Sequence, residues 1–479
     1  MAGTAARGPS SVRPAVLAAV ALSGILLAVQ LLVPPVVGLA NNGDFERVLG
    51  PAGLKSTAVG RSEQYFSWIV LQFEDAPRGW YATGLKTSEV LLARAARLAS
   101  RPFSPDGLFD LRWLGALHAA LLVAGLALLV SATAPLTEAA RWTAAALLVF
   151  VFTDVGYAAP LNSFYSQAAS LVFLMLVLGV LARSIPDPGL TAFRTVAFAA
   201  LALLYVGSKP QEALQGFLLS GYAIRVGRRE KSVWFGIRPV VAAAAIVCGF
   251  SVWYLGQTPP EIADVARYHK VFMELLPSSP DPAGDLRDLG LDPAWTVAIG
   301  KVAYPPSSPF QDPAFRSEFL RRFRYTKLLE FYLTHPSRLR DTILGGGEAA
   351  LTMRHPRFGN FEHRAGFSPG ARSSSFAVWS DARRSLPGHP LIWIGLLWVG
   401  NLAAVGAAYR KVGPEGRLAL EGIVLLVLMA ALAFCVCVLS NAHGDLARHF
   451  YVFHALVDLT LVADVVWGVG ALTRTRPAV

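Results

Sequence analysis

What constrains this chain most is a recurrence of long apolar stretches, at roughly residues 14–40, 111–132, 142–158, 166–183, 194–208, 211–225, 236–255, 388–408, 417–440 and 449–473. A hydrocarbon core of about 30 Å takes about 20 apolar residues at a rise of 1.5 Å each, and most of these runs approach that length. Inside lipid the backbone can satisfy its N–H and C=O groups only internally, so such runs are expected to be helical. Composition agrees, with 16% of residues charged against about 25% in an ordinary soluble domain. The expected fold class is therefore an all-α polytopic membrane protein of about 10 transmembrane helices with two large outward loops, and a soluble enzyme is excluded. The third, fifth and sixth runs are short or interrupted, which spreads the expected count over about nine to eleven. The first run resembles a signal peptide in its flanks, but its apolar length favours a retained span.

Three regions follow. Residues 1–255 hold spans one to seven with a first hydrophilic loop at 41–110, residues 256–387 form a larger loop, and residues 388–479 hold spans eight to ten. Basic residues in short connections set orientation. Arg7 and Arg13 precede span one, Arg225, Arg228, Arg229, Lys231 and Arg238 lie between spans six and seven, Arg410, Lys411 and Arg417 between eight and nine, and Arg474 and Arg476 after ten. In a ten-span arrangement all fall on one side, which places both termini in the cytoplasm and both long loops outside. The net charge of +11 then reports topology and contact with anionic membrane lipids, and no nucleic-acid footprint. Arg far outnumbers Lys and Ala is abundant, a composition that suggests a bacterial cytoplasmic membrane. Cys248, Cys435 and Cys437 all fall in apolar runs, so no disulfide framework is expected.

Four polar clusters meet that outward face. Asp44 and Glu46 follow span one. The run Asn162-Ser163-Phe164-Tyr165-Ser166-Gln167 joins spans three and four, Ser208-Lys209-Pro210-Gln211-Glu212 joins five and six, and residues 441–449, with His443, Asp445, Arg448 and His449, join nine and ten. Charge at that depth is costly unless paired or wet, so its recurrence on one face points to a site, with plain loop polarity as the alternative. Asp44, Glu46 and Asp445 are carboxylates able to take a proton, while Lys209, Arg448 and protonated His449 are cations able to hold a phosphate. Tyr165, Gln211, His443 and Asp445 are the candidates for substrate contact. Asp44 and Glu46 face one way on extended backbone, yet two carboxylates make too few oxygen ligands for a divalent cation, which remains the alternative to an expectation of no metal and no cofactor.

Other residues read more plainly. His118 and Asp154 are expected to be buried and hydrogen-bonded. Asp458 and Asp464 in span ten are the acids a proton path would use. Arg316, Arg321, Arg322, Arg324 and Lys327 make a predicted helix from Pro313 to about Tyr332 basic, suited to anionic headgroups or to a lipid-linked phosphate. Aromatics at 64–68 and 79–81 fit an interfacial belt or a sugar platform. Gly345-Gly346-Gly347 lacks the following Lys and Ser/Thr of a nucleotide loop.

Asn42-Gly43-Asp44-Phe45, Asn162-Ser163-Phe164-Tyr165-Ser166 and Ala447-Arg448-His449-Phe450, set among many spans and a large late loop, resemble the GT-C superfamily of integral-membrane glycosyltransferases. The likeness is to bacterial glycan-biosynthesis hexose transferases. That resemblance implies a polyprenyl-phosphate sugar as donor, a cell-envelope glycan or lipid-linked acceptor, and an acidic residue of the first outward loop as base, Asp44 first and Glu46 second. Where the serine-tyrosine motif often continues into Glu, this chain has Gln167, so no acid role is implied there. An O-antigen-type ligase or polymerase working through loop residues such as His363 and Arg364, and a lipid or solute transporter, are the competing readings.

Overall fold

The computed structural model describes residues 12–81, 83–186, 190–228, 237–354, 359–440 and 446–473. All ten apolar stretches are helical there, but their ends are set by local chemistry. Helix α1 (Arg13–Leu32) stops before Pro34 and Pro35, which cannot continue the ladder. A short α2 (Glu46–Ala52) and an amphipathic α3 (Ser88–Ser100) follow, the latter capped by Thr87, whose side chain accepts from Glu89 N. Next come α4 (Arg112–Ala132) and α5 (Glu138–Phe152). After α5 the chain bends by 62° into residues Val155–Leu161. Asp154 enforces the bend, because its carboxylate accepts from Gly156 N at 2.8 Å and starts the new turn. Then follow α6 (Gln167–Arg183), α7 (Ala192–Val206), α8 (Gln215–Gly227) and α9 (Arg238–Leu255).

The long second connection contributes α10 (Pro260–His269), α11 (Pro313–Arg322), α12 (Tyr325–Thr334), α13 (Pro336–Gly347) and α14 (Val378–Arg384). The chain closes with α15 (Pro390–Tyr409), α16 (Pro414–Ser440) and α17 (Tyr451–Leu472). Among the described residues six helices are long and apolar enough to cross a membrane, or seven if the bent pair counts as one span. The expected ten is therefore not reached on length: α6, α7 and α8 have 17, 15 and 13 residues.

Neighbouring helices pack in the order α16, α17, α5, α1, α4, α6, α7, α9, α8 and back to α16, a closed ring with α15 against α16. Within it α6 also touches α17, and every side chain from Gln167 to Leu181 is buried. A helix apolar on all sides needs cover from protein or from lipid, and here protein supplies it. The rim helices instead turn apolar side chains outward, as with Leu17, Phe193 and Val399.

The first connection holds a small antiparallel sheet that no sequence pattern announced, because its strands have two to four residues: β1 (Leu54–Ser56), β2 (Gln72–Asp75) and β3 (Phe109–Asp110), in that order. Leu54 pairs with Asp75 and Phe73 with Phe109, which turns both Phe rings onto Phe164. The second connection has its own aromatic core around Tyr268, Phe272, Phe310, Phe319 and Phe331. The single helix expected from Pro313 to about Tyr332 is two, α11 and α12. Phe323 takes extended backbone between them so that its ring is buried and stacked on Phe319 at 5.5 Å.

Three attachments tie this second connection to the helix bundle. Residues 37–40 and 66–69 exchange backbone hydrogen bonds with residues 359–371, including Gly38 N to Asn360 O at 3.0 Å and Ala40 N to Gly359 O at 2.9 Å. A Cβ on Gly359 would lie 1.9 Å from Ser67 O, so only glycine allows that approach. Buried Lys270 donates to Glu274 and to Val438 O at the end of α16. Arg383 on α14 pairs with Asp458 on α17 at 2.9 Å, and Asp154 accepts from Trp379 N and Ser380 N at 2.9 and 3.0 Å.

Candidate functional site

The chain leaving α1 turns sharply at Asn41-Asn42-Gly43. Asn41 Oδ1 accepts from Gly43 N and Phe45 N, Asn42 Oδ1 accepts from Asp44 N, and Gly43 sits at φ +103°. These asparagine turns hold Asp44 at the start of α2 without relying on a helix ladder. Phe45 anchors the turn from beneath, edge-on to Tyr165 at 4.7 Å and to Phe164 at 5.6 Å. Tyr165 completes the fixation, accepting from Asn42 N at 3.0 Å and donating to Ala40 O at 3.1 Å.

The Asp44 carboxylate lies between two guanidinium groups. Oδ1 is 2.8 Å from Arg47 Nη1 and Oδ2 is 2.7 Å from Arg448 Nη2. Arg448 in turn lies over the Tyr165 ring, 4.7 Å from its centroid, a cation–π contact that orients it. Gln167 Nε2 donates to Arg448 O at 3.3 Å, and His449 Nδ1 is 3.3 Å from Gln211 Oε1. Thr87 bridges the remaining cluster, its Oγ1 donating 2.6 Å to Ser208 O and lying 3.2 Å from Ser166 Oγ. Lys209 follows Ser208 directly and is close enough to act electrostatically on Glu212. The clusters at 44–46, 162–167, 208–212 and 446–449 are thus linked to one another, although residues that touch are up to about 400 positions apart in sequence. His443 and Asp445 lie outside the described residues.

Glu46 is set differently from Asp44. It is buried, its Oε1 accepts from Asn41 Nδ2 at 3.0 Å and from Tyr65 Oη at 3.1 Å, and its Oε2 is buried with no partner. Burial and the Glu46 charge push the Tyr65 hydroxyl up to about 12. Each carboxylate has its own protein partners. Among the described residues no group of three His, Cys, Asp or Glu gathers in a way that could hold a metal ion.

Sequence reasoning missed Arg47, which shows only as a cation three residues after Asp44, and Tyr304, for which no signal exists. Tyr304 is exposed, and Arg47 is close enough to hydrogen-bond its hydroxyl. His269 supports that segment: its Nε2 accepts from Ala303 N at 2.9 Å, and burial lowers the ring to about 4. His118, expected to be buried, is buried against Leu161 O at 2.8 Å and faces Glu89 at 3.2 Å. Asp458 is ion-paired with Arg383 and accepts from Tyr157 and Trp379 at 2.6 and 2.9 Å, while Asp464 accepts from Asn401, so both have fixed partners in place of an open path. Of the basic residues at 316–327, Arg321 and Arg322 share Glu318, Lys327 pairs with Glu330 and Arg316 with Asp264, all of them pairs at least partly exposed to solvent.

A family model described as the YfdI N-terminal transmembrane domain matches residues 4–477. The chain belongs to this family. Membership makes it a multi-pass membrane protein, in keeping with its apolar helices. No curated protein matches the chain, and no solved structure does. In this YfdI-family chain the clustered residues supply a carboxylate, two fixed guanidinium groups, a histidine and aromatic faces at one end of the bundle. Such a set can accept a proton and hold an anion.

Proposed function

We propose that the protein is a membrane glycosyltransferase of GT-C type that moves a hexose from a polyprenyl-phosphate donor to a cell-envelope glycan or lipid-linked acceptor. It works on the outer face of the bacterial cytoplasmic membrane, with about ten helices in the membrane, three of them short, and both termini in the cytoplasm. The observation that carries this reading is Asp44 held between Arg47 and Arg448 beside Tyr165 and Gln167. A carboxylate doubly paired with arginines is quiet until another anion competes for them.

The donor phosphate is that competitor. As it engages Arg448, with Lys209 and His449 nearby, an Asp44 oxygen is released to face the acceptor hydroxyl. The acceptor oxygen bonds to the anomeric carbon while its proton passes to Asp44. The bond from that carbon to the phosphate oxygen breaks, its electron pair stays with the phosphate, and the arginine stabilises the departing charge. Tyr165, Gln211 and Tyr304 are positioned to contact the sugar or the acceptor, with Glu46 as a buried neighbour that holds the loop.

The test is transfer from radiolabelled polyprenyl-phosphate hexoses to membrane acceptors. Asp44→Asn, at matched expression, is expected to lower the rate by about 10²–10⁴-fold, the usual contribution of a general base. Unchanged transfer would remove Asp44 from the role, and preference for a nucleotide sugar would remove the reading.

A further inference from the structure

A second polar cavity, of about 360 Å³, opens where residues 352–354, 372–374 and α14 meet. Its walls carry three guanidinium groups, Arg354, Arg372 and Arg384, with the hydroxyls of Thr352 and Ser373 and one carboxylate, Asp381. Among the described lining residues, three cations stand against one anion. Asp381 is half-exposed and 3.9 Å from Arg384, and it and Asp154 offset part of the charge around Arg354. Arg354 donates to Ser373 O at 2.6 Å, but its buried Nε meets no partner among the described residues. Burial and the charge of Arg372 depress its pKa below the ordinary guanidinium value. Like charges gathered in a concave site raise the energy of the empty protein, and an anion accepting from several guanidinium forks reverses that cost.

The cavity adjoins the proposed reaction centre. Arg354 and Arg372 also line the adjoining cleft, whose other wall carries Tyr165, Gln167 and Arg448. A ligand held by the arginines therefore reaches toward Asp44.

We infer that this cavity binds the diphosphate of a polyprenyl-diphosphate-linked acceptor, separately from the donor phosphate beside Arg448. The diphosphate part stands on the three arginines and the volume, and the word acceptor rests on the glycosyltransferase reading. A diphosphate matches the local charge better than a monophosphate and offers enough oxygens for three guanidinium groups and the hydroxyls.

The test is equilibrium binding to the full-length protein in nanodiscs, with polyprenyl diphosphate, polyprenyl monophosphate, the polyprenyl alcohol and inorganic pyrophosphate as probes. Polyprenyl diphosphate is expected to bind tightest, and Arg372→Ala and Arg384→Ala each to weaken it about tenfold or more, as loss of a charge-assisted hydrogen bond does. Arg372→Lys and Arg384→Lys are expected to restore part of the loss in a folded protein. Diphosphate binding that ignores the arginine substitutions, or that equals monophosphate binding, would overturn the site. Pyrophosphate binding as tightly as the lipid would overturn the lipid-linked assignment. Arginine-dependent diphosphate binding without sugar transfer from any donor would uphold the site while removing the transferase reading.

Discussion

Arg383→Ala is the substitution whose effect the structure specifies most closely. The Arg383 side chain is 4% exposed and that of Asp458 is 0% exposed. Arg383 Nη1 lies 2.9 and 3.0 Å from the two Asp458 oxygens, and Nη2 reaches Ala350 O and His454 Nδ1. Alanine leaves the carboxylate in place without its cation, and breaking a buried pair from one side costs about 3–5 kcal/mol. The strain falls on α14, which is held otherwise by the bonds from Trp379 N and Ser380 N to Asp154. Hydrogen exchange at those two amides reads the opening directly. A loss of about 3–5 kcal/mol corresponds to exchange faster by about two to four powers of ten. Arg384→Ala, one residue on and well exposed, is the control and should change exchange little. The double substitution Arg383→Leu with Asp458→Leu should recover part of the protection, since it leaves no charge buried although the Tyr157 and Trp379 donors lose their acceptor. Exchange in Arg383→Ala within about threefold of the parent protein, or a double variant no better than the single, would refute the reasoning.

Acidification should loosen the second connection. Folded His269 has a pKa of about 4 against an ordinary 6.5, so between these values the unfolded chain binds the proton and the folded chain does not. Stability of residues 260–332 is therefore expected to fall as pH drops through that window, and His269→Gln, which keeps an acceptor for Ala303 N, to flatten the profile in denaturant titrations. Gly359→Ala should destabilise the protein by about 1–3 kcal/mol through overpacking against Ser67 O, read as faster proteolysis near residue 359; parent-like cleavage would contradict the close approach. Reporter fusions within residues 133–141, 226–235 and 409–416 should all report the cytoplasm, and an outward signal at any of them would break the proposed topology.

Each apolar stretch was legible as a helix because hydrocarbon leaves the backbone no other choice, but apolarity did not set the lengths. Pro34 and Pro35 end α1 early, Asp154 bends the chain after α5 with its own carboxylate, and α6 is short because protein covers all of it. Asp44 and Arg448 stood out as charges at the ends of apolar runs, and they do meet. Thr87, Tyr304, Arg354 and Arg372 did not stand out. They sit in connections without periodicity, and their neighbours come from distant parts of the chain. The two-strand contact between residues 37–40 and 359–371 was unreadable for the same reason: a few backbone bonds leave no pattern in side chains.

The double pairing of Asp44 also imposes an order on biogenesis. Arg47 leaves the ribosome three residues after Asp44, whereas Arg448 follows by about 400 residues, or about 20–80 s at roughly 5–20 residues per second. During that interval the nascent carboxylate has a local cation and no distant one. The last helix but one must be threaded, and the final turn delivered, before the second arginine docks. A chain truncated before Arg448 therefore carries a neutralised but unfinished pocket, and the arrival of that residue is the step that assembles it.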